Sequence, residues 1–306
     1  MRKLATLLCA VLIVSSANGQ KAKLSLNLEQ DFSYKQINHS EVNINQDVYG
    51  MKMNIVMVMD GSTSYLVKAV SKEGYEMELR YDWMSMTMEL PQATMEFSSE
   101  KNDESDLFSS ILAEMKGKPM KMKMDKRGKI TEVEDVEAMW NAVIDQFDQF
   151  PQQEREQVKS QILNAYGGKA LSGSIEAFTA IFPEKRVKKG AQWNIINKTE
   201  AGMATTVTTD YTYEGMEGDY AIISGQGTVV TTDKDAYVET NGMSMKYDLS
   251  GSSSSRIKMD KKSGWIYEAI VDQTIEGNAT IKANEQLPEG MTIPMTIKNE
   301  TKITSE

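Results

Sequence analysis

Period-two alternation of apolar and polar residues runs through most of this chain, and nothing else in the sequence restricts the fold so tightly. In "GYEMELRYDWMSMTMEL" (residues 74–90), Tyr75, Met77, Leu79, Tyr81 and Trp83 share one parity, and Glu76, Glu78, Arg80 and Asp82 the other. Successive strand side chains point to opposite faces, so this pattern marks a β-strand with one buried face. The alternation then continues at Met84, Met86 and Met88, on the opposite parity. One face stays buried across that switch only if an extra residue is inserted. The sequence therefore predicts a β-bulge or sharp bend near Trp83 and Met84. Bends of this kind let a sheet curl into a barrel or half-barrel.

The alternating residue is often methionine: "MKMNIVMVM" (51–59), "MKMKMD" (120–125) and "MSMKYDL" (243–249) repeat the comb. Three readings compete: a soft-metal site, a wall that adapts to apolar ligands, and core filler. Thioethers suit Cu(I). Same-face neighbours on a strand, however, stand about 6.5–7 Å apart, and His39 and Cys9 are the one histidine and one cysteine of the chain. No metal or cofactor is expected. Core and wall both turn Met84, Met86, Met88, Met120, Met122 and Met124 inward, and a flexible thioether suits either. Only a wall needs unfilled volume beside them, on the order of 300 Å³ or more. The candidate lining is Met77, Tyr81, Trp83, Met84, Met86, Met88, Met120, Met122, Met124, Met243 and Met245.

Between residues 103 and 182 the apolar spacing changes to three and four. Leu107, Phe108, Ile111, Leu112 and Met115 form one helical stripe, with Asp103 or Ser105 as its start. Val136, Met139, Trp140, Val143, Ile144 and Phe147 form a second; a third follows Pro151 and ends at Gly167 and Gly168. Ser174 is expected to cap a short fourth helix. Between the first two stripes, residues 119–133 read as a hairpin turning at 126–128, and from 187 onward strand signals return, with Asn241 and Gly242 as a turn. "KMKMDKRGKITEVED" and "RIKMDKKSGWIYEAIVD" resemble each other, which points to two related halves, about 20–134 and 187–306, within one domain spanning 20–306.

The first residues, "MRKLATLLCAVLIVSSANGQ", read as a signal peptide: Arg2 and Lys3, an apolar run too short to span a membrane, then small residues before a cleavage between Gly19 and Gln20. Cys9 belongs to that run, so the exported chain carries no thiol and no disulfide. It also carries no second long apolar run. The net charge is −10, and removing Arg2 and Lys3 makes it −12. Such a balance disfavours nucleic acid and anionic membranes as partners.

Taken together, "GYEMELRYDWMSMTME", "MKGKPMKMKMDKRGKITEVEDVE", "FPEKRVKKGAQWNI" and "MDKKSGWIYEA" resemble a family of secreted proteins of Bacteroidota-type bacteria known only as a domain of unknown function. The resemblance covers nearly the full length after the signal. In architecture the chain is also similar to periplasmic lipoprotein carriers and mycobacterial lipid-binding lipoproteins. That likeness implies a curved antiparallel half-barrel with helices in its concave side.

Enzymatic constellations are lacking. Ser255 and Lys258 match S-x-x-K, and Lys262-Ser263-Gly264 imitates K-[ST]-G, but both fall in one hairpin, so they are read as coincidence. His39 reads as a loop residue. The pairs Asp233/Asp235 and Glu132/Glu134 read as solvated strand faces. The expectation is an α+β protein: a curved antiparallel half-barrel with the helices of 103–182 on its concave face. It is expected to be non-enzymatic, periplasmic or envelope-associated, and to bind an apolar small molecule or lipid. The competing reading is a structural or protein-interaction envelope protein whose methionines are ordinary core.

Overall fold

The computed structural model describes residues 21–101, 105–199, 203–240, 243–285 and 287–306. The expected signal peptide and its cleavage site, Asp103 and the Asn241-Gly242 turn lie outside them. In chain order the elements are β1 (Ser33–Val48), β2 (Met51–Val70), β3 (Gly74–Leu90), β4 (Ala93–Ser98), α1 (Leu107–Met115), β5 (Met120–Asp125) and β6 (Ile130–Glu134). There follow α2 (Val136–Ile144), α3 (Gln152–Tyr166), α4 (Gly168–Thr179), β7 (Gln192–Thr199), β8 (Thr205–Glu217) and β9 (Tyr220–Thr231). The last are β10 (Val238–Thr240), β11 (Met243–Asp260), β12 (Ile266–Ile281) and β13 (Met291–Ser305).

All the strands belong to one open antiparallel sheet, ordered β6-β5-β3-β2-β1-β13-β12-β11-β9-β8-β7, with β4 added to β3 and β10 to β11. The two sequence halves meet where β1 pairs with β13, so the sheet is continuous through both. It curves as a half-barrel with the helices on its concave side.

The expected bulge is present in β3. Thr63 pairs with Tyr81 and Ser62 with Trp83, which leaves Asp82 as the extra residue. Its carboxylate accepts the hydroxyls of Ser62 and Ser64 at 2.7–2.9 Å. The inserted residue keeps Met77, Leu79 and Tyr81 on the same face as Met84, Met86 and Met88, although their parity differs.

Helix α1 starts at an N-cap other than the two expected: Asp106 accepts the N–H of Ser109. Helix α4 starts at Gly168, not at Ser174, which lies inside the helix and donates to the Ala170 carbonyl. The α4 segment lies between the two free edges of the sheet. On one side Ile130 N–H of β6 donates to Glu176 Oε1 (2.8 Å), and Thr179 Oγ1 donates to the Gly128 carbonyl (2.6 Å). On the other, Trp193 Nε1 of β7 donates to the Ile181 carbonyl (2.8 Å). Gly128 has φ +84°, and a Cβ there would overlap the Thr179 backbone, so only glycine permits this approach.

Residues 22–28 run as a strap across one end of the sheet. Ala22 pairs with Val187; Leu26 N–H donates to the Lys126 carbonyl and Asn27 N–H to that of Ser263. Leu24, Leu26 and Leu28 point into the core and are buried. The strap thus ties together the two turns that resemble each other in sequence. In one, Asp125 Oδ1 accepts the N–H groups of Arg127 and Lys129; in the other, Asp260 Oδ1 accepts those of Lys262 and Ser263.

Candidate functional site

Residues paired directly across an antiparallel ladder share a face, so the register maps the concave surface residue by residue. At the strap end, Tyr34, Tyr65, Leu79 and Met120 form one row and Val67, Met77 and Met122 the next. These pack with the helices in the main core, where Ile111, Met115, Trp140 and Ile162 are fully enclosed. Burial pushes the phenols of Tyr65 and Tyr81 well above their ordinary pKa, and that of Tyr211 to about 12. This end is dry.

Toward the opposite rim the surface opens. Met59 pairs with Met86, which pairs with Phe97; Met57 pairs with Met88, which pairs with Met95. One row further, Ile55, Ile44, Ile297 and Ile275 stand side by side on β2, β1, β13 and β12. Past Gly251, the row continues to Val229 and Val207. At about 4.8 Å per strand, this apolar stripe is roughly 29 Å long. Ile275 and Val229 are buried; Ile55, Ile44, Ile297 and Val207 are half-buried. A second, smaller cluster of Val229, Leu249 and Ile275, joined by Tyr247 and Met295, lies here apart from the main core.

Between the two apolar zones runs a polar belt. Ser40 Oγ donates to Asn299 Oδ1 (3.0 Å) and lies 3.1 Å from Thr301 Oγ1; Asn299 Nδ2 donates to Gln273 Oε1 (3.3 Å). Ser253 and Thr209 extend it across β11 and β8, both buried. Asn38, on the same face opposite Gly61, is exposed, so solvent reaches this deep into the trough. No Asp, Glu, Lys or Arg occupies a concave-facing paired position of the described strands. The charges stand on the convex face in pairs such as Lys123–Glu132 (2.6 Å) and Lys258–Glu268 (3.2 Å). For a chain with a quarter of its residues charged, that segregation defines the trough chemically.

The eleven lining residues expected from sequence divide three ways. Met77, Tyr81, Met84, Met120, Met122 and Met124 are buried in the main core. Met86, Met88, Met243 and Met245 are half-buried on the open part of the same face. Trp83 is misassigned: the extra residue Asp82 turns it to the convex side, opposite Ser62. The isoleucine row and the belt were missed, although the comb at 51–59 announces Met53, Ile55, Met57 and Met59.

A separate groove of about 390 Å³ lies between α1 and α3 beside Phe97, lined also by Leu107, Phe108, Val158, Asp106 and Gln161. Phe97 and Phe108 touch there, ring centroids 4.9 Å apart. No methionine lines it.

His39 stands in strand β1 rather than a loop, with Nδ1 2.7 Å from Asp60. Ser255 faces the trough and Lys258 the convex side, as strand periodicity requires, so the S-x-x-K match brings no two groups together. Asp233 accepts the N–H groups of Asp235 and Ala236 in its own turn. Among the described residues, no group of three or more His, Cys, Asp or Glu is placed to hold a metal ion. No helix among them is long and apolar enough to cross a membrane.

Fold and site together define an open antiparallel half-barrel with an uncharged trough. The chain belongs to the Family of unknown function (DUF6263), whose model matches residues 72–266. No curated protein matches its sequence. Among solved structures it is similar to one of lipid–protein interactions in lipovitellin, at 8% identity and TM-score 0.48, over 92% of this chain and 25% of that one. The chain thus spans about a quarter of lipovitellin's length. Others are an outer membrane channel from Pseudomonas putida F1 (5% identity, TM-score 0.26, 92% and 97% covered) and a DUF1329 family protein from Desulfovibrio piger (10%, 0.14, 88% and 85%).

Proposed function

We propose that this is an exported, non-enzymatic envelope protein that holds an apolar ligand, a lipid or acyl chain, in the open half of its trough. One observation carries the reading: a stripe of isoleucine and valine about 29 Å long, half-buried at Ile55, Ile44, Ile297 and Val207 and flanked by the methionines of β2 and β3, lies on a concave face whose strands bear no charge. A soluble protein that leaves so much continuous apolar surface partly open is built to cover it with something. We read the buried Met77, Met84, Met120, Met122 and Met124 as ordinary core, which confines the adaptable wall to the methionines nearer the rim.

The test is native mass spectrometry with solvent extraction on protein purified gently from an exporting host. We expect a reproducible added mass that extracts as lipid. A clean apo mass, together with no uptake of offered 1-dodecanoylglycerol or N-phenyl-1-naphthylamine, would overturn the reading in favour of a structural or interaction role.

A further inference from the structure

We infer that the ligand is an uncharged amphiphile, whose hydrogen-bonding head, such as an ester, amide or hydroxyl, sits on the polar belt while its chain follows the isoleucine row. This rests on the proposed function above and narrows it to a chemical class. A trough made for bare hydrocarbon would be apolar throughout. Here Ser40, Thr301, Asn299 and Gln273 form a connected line of amides and hydroxyls across three neighbouring strands, beside the apolar row. Burying such groups is unfavourable unless they are hydrogen-bonded. The belt leaves capacity: within the line Gln273 accepts from Asn299, and its amide N–H groups remain free to donate.

A second observation points the same way. Gln36 lies on the same face of β1 as Asn38 and Ser40, next inward toward the core. It is 8% exposed, and its amide nitrogen has no hydrogen-bond partner. An unpartnered buried donor is unfavourable, and a carbonyl or hydroxyl oxygen reaching about 13 Å along β1 from Ser40 would satisfy it. Exposed Asn38 shows that the trough is open between belt and core.

The same face excludes a charged head. A carboxylate, phosphate or ammonium placed on the belt would meet no counter-charge from any described strand, and desolvating it unpaired is far more costly than desolvating an ester.

Three ligands of one chain length test this: 1-dodecanoylglycerol, dodecanoate at pH 8 and 1-dodecene, each displacing N-phenyl-1-naphthylamine from the full-length mature protein. The glycerol ester is expected to bind at least tenfold more tightly than either of the others. Gln273→Met should bring the ester's affinity down toward that of 1-dodecene while leaving 1-dodecene unchanged; Asn299→Leu serves if it fails to fold. Equal displacement by all three, or variants that bind the ester like the parent, would overturn the inference and leave the apolar-ligand reading standing. If N-phenyl-1-naphthylamine itself is not bound, that reading fails as well.

Discussion

Met122 faces Met77 across β5 and β3 and is 3% exposed, whereas Met57 faces Met88 in the half-open part of the same surface. Identical side chains on identical strand positions thus answer to different surroundings, and substitution should separate them. Met122→Ala leaves a cavity among helices that cannot collapse fully, so we expect a loss of about 2–5 kcal/mol in urea unfolding. Met57→Thr with Met88→Thr keeps strand preference and opens no enclosed void. It should cost less than about 1.5 kcal/mol yet lower affinity for N-phenyl-1-naphthylamine several-fold. The reverse ranking, rim variants unfolding and core variants losing only binding, would refute the division. Sequence showed that both combs turn inward, because period two shows direction. It did not show which is enclosed, because that depends on where the helices come to rest against the sheet. Trp83 was misread for a smaller reason: the extra residue fell at Asp82, one position before the expected break, and one position is a whole face.

At the scale of elements, the turn at 260–264 shows how local chemistry holds distant chain together. Burial pushes the Asp260 carboxyl upward, but hydrogen bonds from the Ser263 side chain and the N–H groups of Ser263 and Lys262, with the Lys262 charge, outweigh it and hold it below the usual value. A carboxylate depressed in the folded state adds stability above its unfolded pKa and loses it as pH falls through the folded one. Asp260→Asn should therefore melt below the parent at pH 7, with the gap closing below about pH 4. A gap that persists unchanged at pH 3 would show that charge plays no part. The turn was legible through the likeness of its segment to the one around 125–128, and the bulge and the first three helices were legible too. Strand β1 was not, because its inward face carries Gln36, Asn38 and Ser40 and so lacks apolar alternation. The start of α4 was missed because Gly167 precedes it without a capping side chain. Both departures serve the site: the inward polar residues of β1 belong to the belt or lie beside it, and the small residues of α4, Gly173 among them, let the helix lie against β7.

On the scale of the whole molecule, the curled sheet would gape at its free edges were α4 and the residues just after it not bonded to both. Their contacts with Gly128, Ile130 and Trp193 fix the width of the trough from outside it. Helix α3 is more loosely enclosed. Ile162 is its one fully buried side chain among those described, and most of its surface faces water. Elements with few buried contacts open first, so α3 should exchange its amides faster than α4 or the sheet. This contrast offers a way to locate the ligand, since two openings compete: the trough, and the groove between α1 and α3. A ligand present at 100 times its Kd stabilises the bound form by about 2.7 kcal/mol, which slows exchange through the openings it blocks by roughly 100-fold. With 1-dodecanoylglycerol at that level, protection should rise over residues 40–59 and 271–299, where the isoleucine row and the belt lie. Protection confined instead to α1, α3 and β4 would place the ligand beside Phe97 and Phe108. The methionine-flanked trough would then be a surface awaiting a protein partner.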